Sequence, residues 1–252
     1  MTGGFDRSVV ESTAHRPWPM PDAPWVMTQS WNDLLFAHWR VDVAQMRRAV
    51  PATFELDLFD SEAWLGVVPF YMTNVGIRSV PSPPGLSAFP ELNVRTYVRV
   101  AERPGVYFFS LDAGRRLAVA VARALLNLPY YLAVMSAERH GEVVDYQSVR
   151  RSRQHEQFKA VYQPVDSPFV ATAGSIEYFL AERYCLYHYD RRGRPYRLEI
   201  HHRPWSLQRA RAEIRSNTMT PASQLTIDGA PALLHFARRQ DVVAWAPARL
   251  PT

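Results

Sequence analysis

The sequence predicts a mainly β (α+β) fold, an antiparallel barrel-like domain with a few flanking helices. Three observations carry this. Short segments with alternating side-chain character recur along most of the chain, as strands require. Only a few stretches carry helix-capping signals. No internal repeat or domain linker interrupts the series, so the strands share one domain. With 252 residues and 47% hydrophobic composition, the chain can bury a substantial core, and global disorder is excluded.

Residues 1–24 are polar and dotted with proline, and read as a loose arm ahead of a single domain, 25–252. Residues 31–40 read as a strand. Asp42 followed by Gln45 fits a capping-box start for a short helix, and Pro51 marks its stop. Residues 54–58 and 63–72 read as a hairpin turning through 59–62. Pro81, Pro83, Pro84, Gly85 and Pro90 make 76–90 a loop, placed to form a pocket rim or lid. Strands are predicted at 91–100 and 106–111. The segment 113–127 is apolar all round at its centre, which describes a buried helix, ended by Pro129. Strands follow at 130–137, 142–150 and 154–163. Ser175 caps a helix running to Glu182, and 184–189 with 196–202 form a hairpin turning around Gly193. A third short helix starts near Pro221, and a hairpin of 232–237 and 242–246 closes the chain.

Composition narrows the chemistry. The net charge is +5, and Lys159 is the single lysine among 29 basic residues. Any amine nucleophile must therefore be Lys159 or the N-terminus. One cysteine, Cys185, excludes an intrachain disulfide and suits a reducing compartment. No signal-peptide core or membrane-length apolar run occurs, so a cytoplasmic protein without a membrane partner is expected. The clusters Arg150-Arg151-Arg153 and Arg191-Arg192-Arg194 lack an aromatic RNA-reading motif. They read as solvated loop and strand ends, and no nucleic-acid partner is expected. His201 and His202 point to opposite faces of a strand and have no third ligand at metal spacing, so no metal site is expected. Neither a glycine-rich phosphate loop nor a nucleophile elbow around Ser110 or Ser175 is present, and no cofactor is predicted.

The segment Glu91-Leu92-Asn93-Val94-Arg95-Thr96-Tyr97 carries the strongest functional signal. On a strand, Glu91, Asn93, Arg95 and Tyr97 share one face. They offer a proton acceptor, an amide and an anion clamp. A half-exposed strand would show such a face to water. Here the neighbouring segments 63–68 and 106–111 are apolar on both faces, which favours an internal cavity. Glu91 and Arg95 stand about 13 Å apart on an extended strand, so a ligand could bridge them. Tyr130 and Tyr131, directly after the predicted buried helix, could donate hydrogen bonds to a developing oxyanion, or simply pack. His38 and Arg40 share a face at the end of the first strand. They are candidates for substrate binding or proton transfer, against a satisfied core histidine beside a surface arginine.

Several ordered segments together resemble the uncharacterised YqjF-like family of the acetoacetate decarboxylase-like superfamily. They include Phe36-Ala37-His38-Trp39-Arg40, Trp64-Leu65-Gly66-Val67-Val68-Pro69-Phe70, Phe89-Pro90-Glu91-Leu92-Asn93-Val94-Arg95, Leu128-Pro129-Tyr130-Tyr131 and His201-His202-Arg203-Pro204-Trp205. The resemblance spans about residues 31–245. It implies a β-barrel-like fold around a small-molecule pocket, commonly in homo-oligomers, and matches Glu91 to an acidic pocket residue. Decarboxylases of this fold use a Schiff-base lysine after a Tyr-Pro step, whose amine is activated by its surroundings. Leu128-Pro129-Tyr130-Tyr131 occupies that place with tyrosines. The expectation is therefore a small-molecule pocket protein without imine chemistry. One outcome is acid/base chemistry on a small oxo acid or related carbonyl compound. The other is non-catalytic metabolite binding or sensing.

Overall fold

The computed structural model describes residues 3–80, 87–115, 128–190, 192–220 and 225–251. In chain order the elements are β1 (Met27–Val41), α1 (Val43–Ala49), β2 (Glu55–Leu56), β3 (Ala63–Ile77), β4 (Phe89–Val100), β5 (Arg103–Ala113), β6 (Tyr130–His140), β7 (Val143–Arg150) and β8 (Gln157–Pro164). They continue as β9 (Phe169–Val170), α2 (Ile176–Ala181), β10 (Cys185–Tyr189), β11 (Pro195–His201), β12 (Ser206–Asn217), β13 (Leu233–Ala244) and β14 (Ala248–Arg249). The mainly β, barrel-like expectation holds.

Nine strands close a barrel in the order β1, β3, β4, β5, β6, β7, β8, β12, β13. A second closed path shares part of it, because β10 pairs with β5, β11 pairs with β10, and β11 pairs with β13. The strands β13, β1, β3, β4 and β5 thus form a wall with a core on each face. Alternation sorts the side chains. Leu35, Ala37, Leu65, Val67, Leu92 and Val94 join Tyr146, Phe158 and Tyr162 of β7 and β8 in one core. Leu34, Phe36, Trp64, Val68, Phe70 and Tyr97 join Leu186 of β10, Leu198 of β11 and Leu180 of α2 in the other. A wall covered on both sides leaves no solvated face, so its polar residues are desolvated wherever they occur.

Local signals explain the helices. The Asp42 side chain accepts from the Gln45 amide at 2.8 Å, and Ser175 accepts from the Tyr178 amide at 3.2 Å. Each satisfies an orphan donor of a helix start.

Five expectations need correction. Residues 55–56 pair with β4 (Glu55 opposite Arg99) rather than with β3, because the 59–62 turn is joined only by a bridge of Phe59 with Glu62. The final hairpin is one strand, β13: Arg238, Arg239, Gln240 and Asp241 look like a turn, but β1 pairs through them (Asn32 with Arg239, Ser30 with Asp241). β12 went unpredicted, although Ala210, Ala212 and Ile214 alternate with exposed Arg209, Arg211, Glu213 and Arg215. β3 runs on through Gly76 to Ile77, into the expected loop. The N-terminal arm is not loose. Val9 is buried against Val243 and Trp245, worth about 1.5–3 kcal/mol for a fully buried valine, and Arg16 pairs with Glu199 at 3.2 Å and bonds the Ile200 carbonyl at 2.7 Å. Of the buried helix predicted at 113–127, residues 116–127 lie outside the described residues, as do 81–86 of the rim loop and 221–224 of the third helix.

Candidate functional site

The site lies on the inner face of β4. Glu91, Asn93 and Arg95 line one wall of a cavity of about 80 Å3, with Tyr130 from β6 and Arg183 just after α2. Leu186, Leu198, Ile200, Val106 and Phe108 supply its apolar sides. That is well above the roughly 10–15 Å3 that a single water needs, so the cavity has room for a small metabolite.

Glu91 is 3% exposed. Tyr130 Oη donates to its Oε2 at 2.9 Å, and Tyr146 Oη, from β7 behind the wall, donates to its carbonyl at 2.6 Å. Burial pushes the Glu91 carboxyl up to about 8; the negative charge of Asp112 adds to this, and the Tyr130 hydroxyl works against it by stabilising the anion. At neutral pH the group is therefore a protonated acid. Burial beside that carboxyl also holds the Tyr130 phenol well above its usual range.

Arg95 is anchored at the carboxyl end of α2. Its Nη2 donates to the Leu180 carbonyl at 3.1 Å and to Tyr97 Oη at 3.4 Å, and its guanidinium lies over the rings of Phe36 and Tyr97. A helix C-terminus favours a cation there. Among the described residues Arg95 forms no ion pair, and its Nε, like the Asn93 Oδ1, is buried without a partner. Arg183, in contrast, is neutralised: its Nη1 donates to Asp57 Oδ2 at 2.5 Å and its Nε to the Phe179 carbonyl at 2.6 Å. Arg99 bonds the other Asp57 oxygen at 2.8 Å. Among the described residues that line the cavity, Arg95 is therefore the positive charge without an ion-pair partner.

His38 lies behind Arg95 rather than on the cavity. Tyr97 Oη donates to the Leu180 carbonyl at 2.9 Å, which can only accept. His38 then donates from Nε2 to Tyr97 Oη at 2.7 Å, leaving Nδ1 bare. Burial, with Arg95 and His235 nearby, holds its pKa well below the usual value, so the ring is neutral. Gly66 of β3 stands opposite both His38 and Arg95 in the pairing. A Cβ there would fall 3.1 Å from His38 Nε2 and 3.3 Å from Arg95 Cγ, so glycine is what lets the two side chains share this space.

The structure brings Glu91, Asn93, Arg95 and Tyr130 together on the cavity and leaves three predicted residues off it: His38 behind Arg95, and Arg40 and Tyr131 farther away. Arg40 is 60% exposed in its side chain and pairs with Glu62 at 2.7 Å on the surface; its face of β1 has left the core by that position. Tyr131 points away from Tyr130, as strand alternation demands, and lies 4.1 Å from the Arg150 guanidinium. Arg150 itself corrects another expectation. It is buried, not solvated, and holds Asp112 through Nε at 2.9 Å and Nη2 at 2.7 Å. Sequence reading missed Arg183, Tyr146 and Gly66 as parts of the site. Only Gly66 had a signal, as an isolated glycine inside an apolar strand.

A two-faced β wall enclosing a small, partly charged cavity defines a class, the acetoacetate decarboxylase-like fold. The chain aligns over 91% of its length with 91% of the enduracididine biosynthesis enzyme MppR complexed with pyruvate, at TM-score 0.64 and 14% identity. It aligns over all of its length with 98% of acetoacetate decarboxylase from Legionella pneumophila, at TM-score 0.61 and 13% identity. Within that class, the chain belongs to the DUF2071 family of uncharacterized conserved proteins, whose profile matches residues 28–241. It is 48% identical over 226 residues to the uncharacterized protein YqjF of Bacillus subtilis, covering 90% of this chain and 93% of that one.

Proposed function

We propose that the cavity binds a small carboxylate-bearing carbonyl compound and that Glu91, assisted by Tyr130, performs acid/base chemistry on it without forming an imine. The observation that carries this is the buried, unpaired Arg95 on the same wall as a neutral carboxyl. A ligand carboxylate supplies the missing counter-charge at Arg95 and accepts from its Nε. A carbonyl at the other end accepts from Tyr130 or from protonated Glu91. Asn93, between them, supplies an amide. The only lysine, Lys159, supports the exclusion of an imine: it sits on β8 between buried Phe158 and Ala160, so its side chain faces out of the barrel, and it does not line the cavity.

Above pH of about 8, ionised Glu91 removes a proton from the carbon next to the carbonyl, and the enolate oxygen is held by the Tyr130 hydroxyl. Return of a solvent-derived proton to that carbon completes an exchange with no net redox change. Pyruvate, present in one structural relative, is the natural probe. In D2O, the protein should deplete the pyruvate methyl signal in the proton NMR spectrum, and Glu91→Gln should abolish this. Equal depletion by wild type and variant would sink the proposal. The burial that keeps Glu91 neutral also favours a second reading, a metabolite-binding protein without turnover. Thermal stabilisation by pyruvate that is lost in Arg95→Met, with no deuterium uptake, would select it. We further infer one domain over 25–252 strapped by the arm, and a cytoplasmic homo-oligomer, which light scattering would test.

A further inference from the structure

Behind the cavity wall lies a buried polar group that the proposed chemistry does not touch. Asp112 of β5 is fully buried and stands opposite Leu92 in the β4–β5 pairing, one residue from Glu91. Its side chain therefore enters the core of the nine-stranded barrel while that of Glu91 enters the cavity. Three groups hold it: Arg150 through Nε at 2.9 Å and Nη2 at 2.7 Å, and Ser148 Oγ at 3.0 Å. Tyr131, paired with Asp112 across β5 and β6, lies against the Arg150 guanidinium, 4.1 Å from its ring centroid. Tyr130, the next residue, carries the hydroxyl that meets Glu91. From β7, the strand of Ser148 and Arg150, Tyr146 bonds the Glu91 carbonyl.

We propose that the Asp112–Arg150 ion pair is a positioning unit for Glu91, acting through the sheet on both its location and its charge. The proposal rests on the reading of Glu91 as the working acid. Three physical links support it. Asp112 and Tyr131 fix the start of β6 against β5, and with it the Tyr130 hydroxyl. Tyr146 fixes the Glu91 backbone from the strand that carries Arg150. The negative charge of Asp112 opposes ionisation of Glu91, while Arg150, bonded to Asp112, offsets part of that charge. Tyr131 earns its place next to Tyr130 here, as a cover for Arg150 rather than as a second donor.

Among the described residues, few groups bear on Glu91. Tyr130 faces it from β6, Tyr146 from β7 and Asp112 from β5, while Arg95 on β4 and Arg183 after α2 line the same cavity farther along. The Asp112 charge adds to burial in raising the Glu91 carboxyl. Asp112 is therefore the charge whose removal should register.

The test is the pH titration of the Glu91 carboxyl in the ligand-free protein, followed by carbon NMR with labelled glutamate and assigned by its loss in Glu91→Gln. Asp112→Asn keeps the shape and one acceptor for Arg150 but removes the charge. Its Glu91 midpoint should fall, with the ionisation constant rising about threefold to tenfold, less than the one to three pK units of a charge in direct contact. If Asp112→Asn does not fold, Asp112→Asn with Arg150→Gln gives a neutral pair. Its midpoint should also fall, but less, because no cation is left behind the wall while the carboxylate of Glu156, 3.6 Å from Arg150 Nη1, remains. An unchanged or raised midpoint in either folded variant overturns the proposal. No turnover enters this measurement, so an inactive protein with the predicted ordering would refute the proposed reaction and leave the positioning unit standing.

Discussion

Replacing Glu91 with glutamine should make the protein more stable, by an amount that grows with pH. In the folded chain the carboxyl is raised from its ordinary 4.5 to about 8. The folded state therefore binds the proton more tightly than the unfolded state, and wild-type stability falls as pH rises between those values. Below about 4.5 both states are protonated and the effect vanishes; above about 8 it is complete. At about 1.4 kcal/mol per pH unit, the window from 4.5 to about 8 gives a full effect of about 5 kcal/mol. At pH 7, most of the way through the window, it is about 3 kcal/mol. Glutamine mimics the protonated acid and carries no such dependence, though it can accept from Tyr130 in the same way. Urea unfolding of both proteins at pH 5, 6, 7, 8 and 9 measures the difference directly. Its slope should approach about 1.4 kcal/mol per pH unit between 5 and 8 and flatten beyond. Parallel stability curves would refute the claim that Glu91 is buried as a neutral acid, and the acid/base reading would lose its basis.

Three further substitutions separate the parts of the site. Gly66→Ala places a Cβ 3.1 Å from His38 Nε2 and 3.3 Å from Arg95 Cγ, and overpacking of this kind costs about 1–3 kcal/mol; urea unfolding should show it, together with weaker thermal stabilisation by pyruvate. Arg183→Met leaves Asp57 buried with only the half-exposed Arg99 as partner, and breaking such a buried pair costs about 3–5 kcal/mol; unchanged stability would mean that water reaches Asp57. Arg40→Ala removes an exposed ion pair with Glu62, so stability should move by no more than about 1 kcal/mol, and a loss of pyruvate binding would return Arg40 to the site.

The polar face of β4 was legible because alternation fixes which side chains share a side, and both flanking strands read as apolar throughout. The same rule misled wherever pairing changed step. Between Val94 and Arg95 the β4–β5 register shifts by one residue, so Phe109 and Ser110 fall consecutively on one side of β5. That slip puts Leu111 on the cavity and Asp112 behind the wall, an assignment that simple alternation from Val106 reverses. Arg150 looked solvated because it opens a run of arginines, yet Arg151 and Arg153 alone are outside. Its buried partner lies 38 positions earlier, and no local pattern announces a pair so distant. Arg183 was invisible for the same reason, with Asp57 at a separation of 126. Charges made safe by long-range partners leave no trace in a window of neighbours.

The two-faced wall explains why these partners matter. In a sheet with one wet side, whichever of Glu91 and Asp112 faced the water would be solvated and ionised, and its charge would be screened from the other. Here a core covers both sides, so an acid on one face and an ion pair on the other interact through a thin layer of low polarisability, where charge is felt strongly. The nine-stranded barrel then does more than fill space behind the cavity. Its Tyr146, Ser148 and Arg150 lie on one strand, β7, at alternate positions. Through them the barrel reaches the Glu91 backbone and the Asp112 carboxylate at once. Changes on β7 should therefore alter the cavity's acid before they alter its shape.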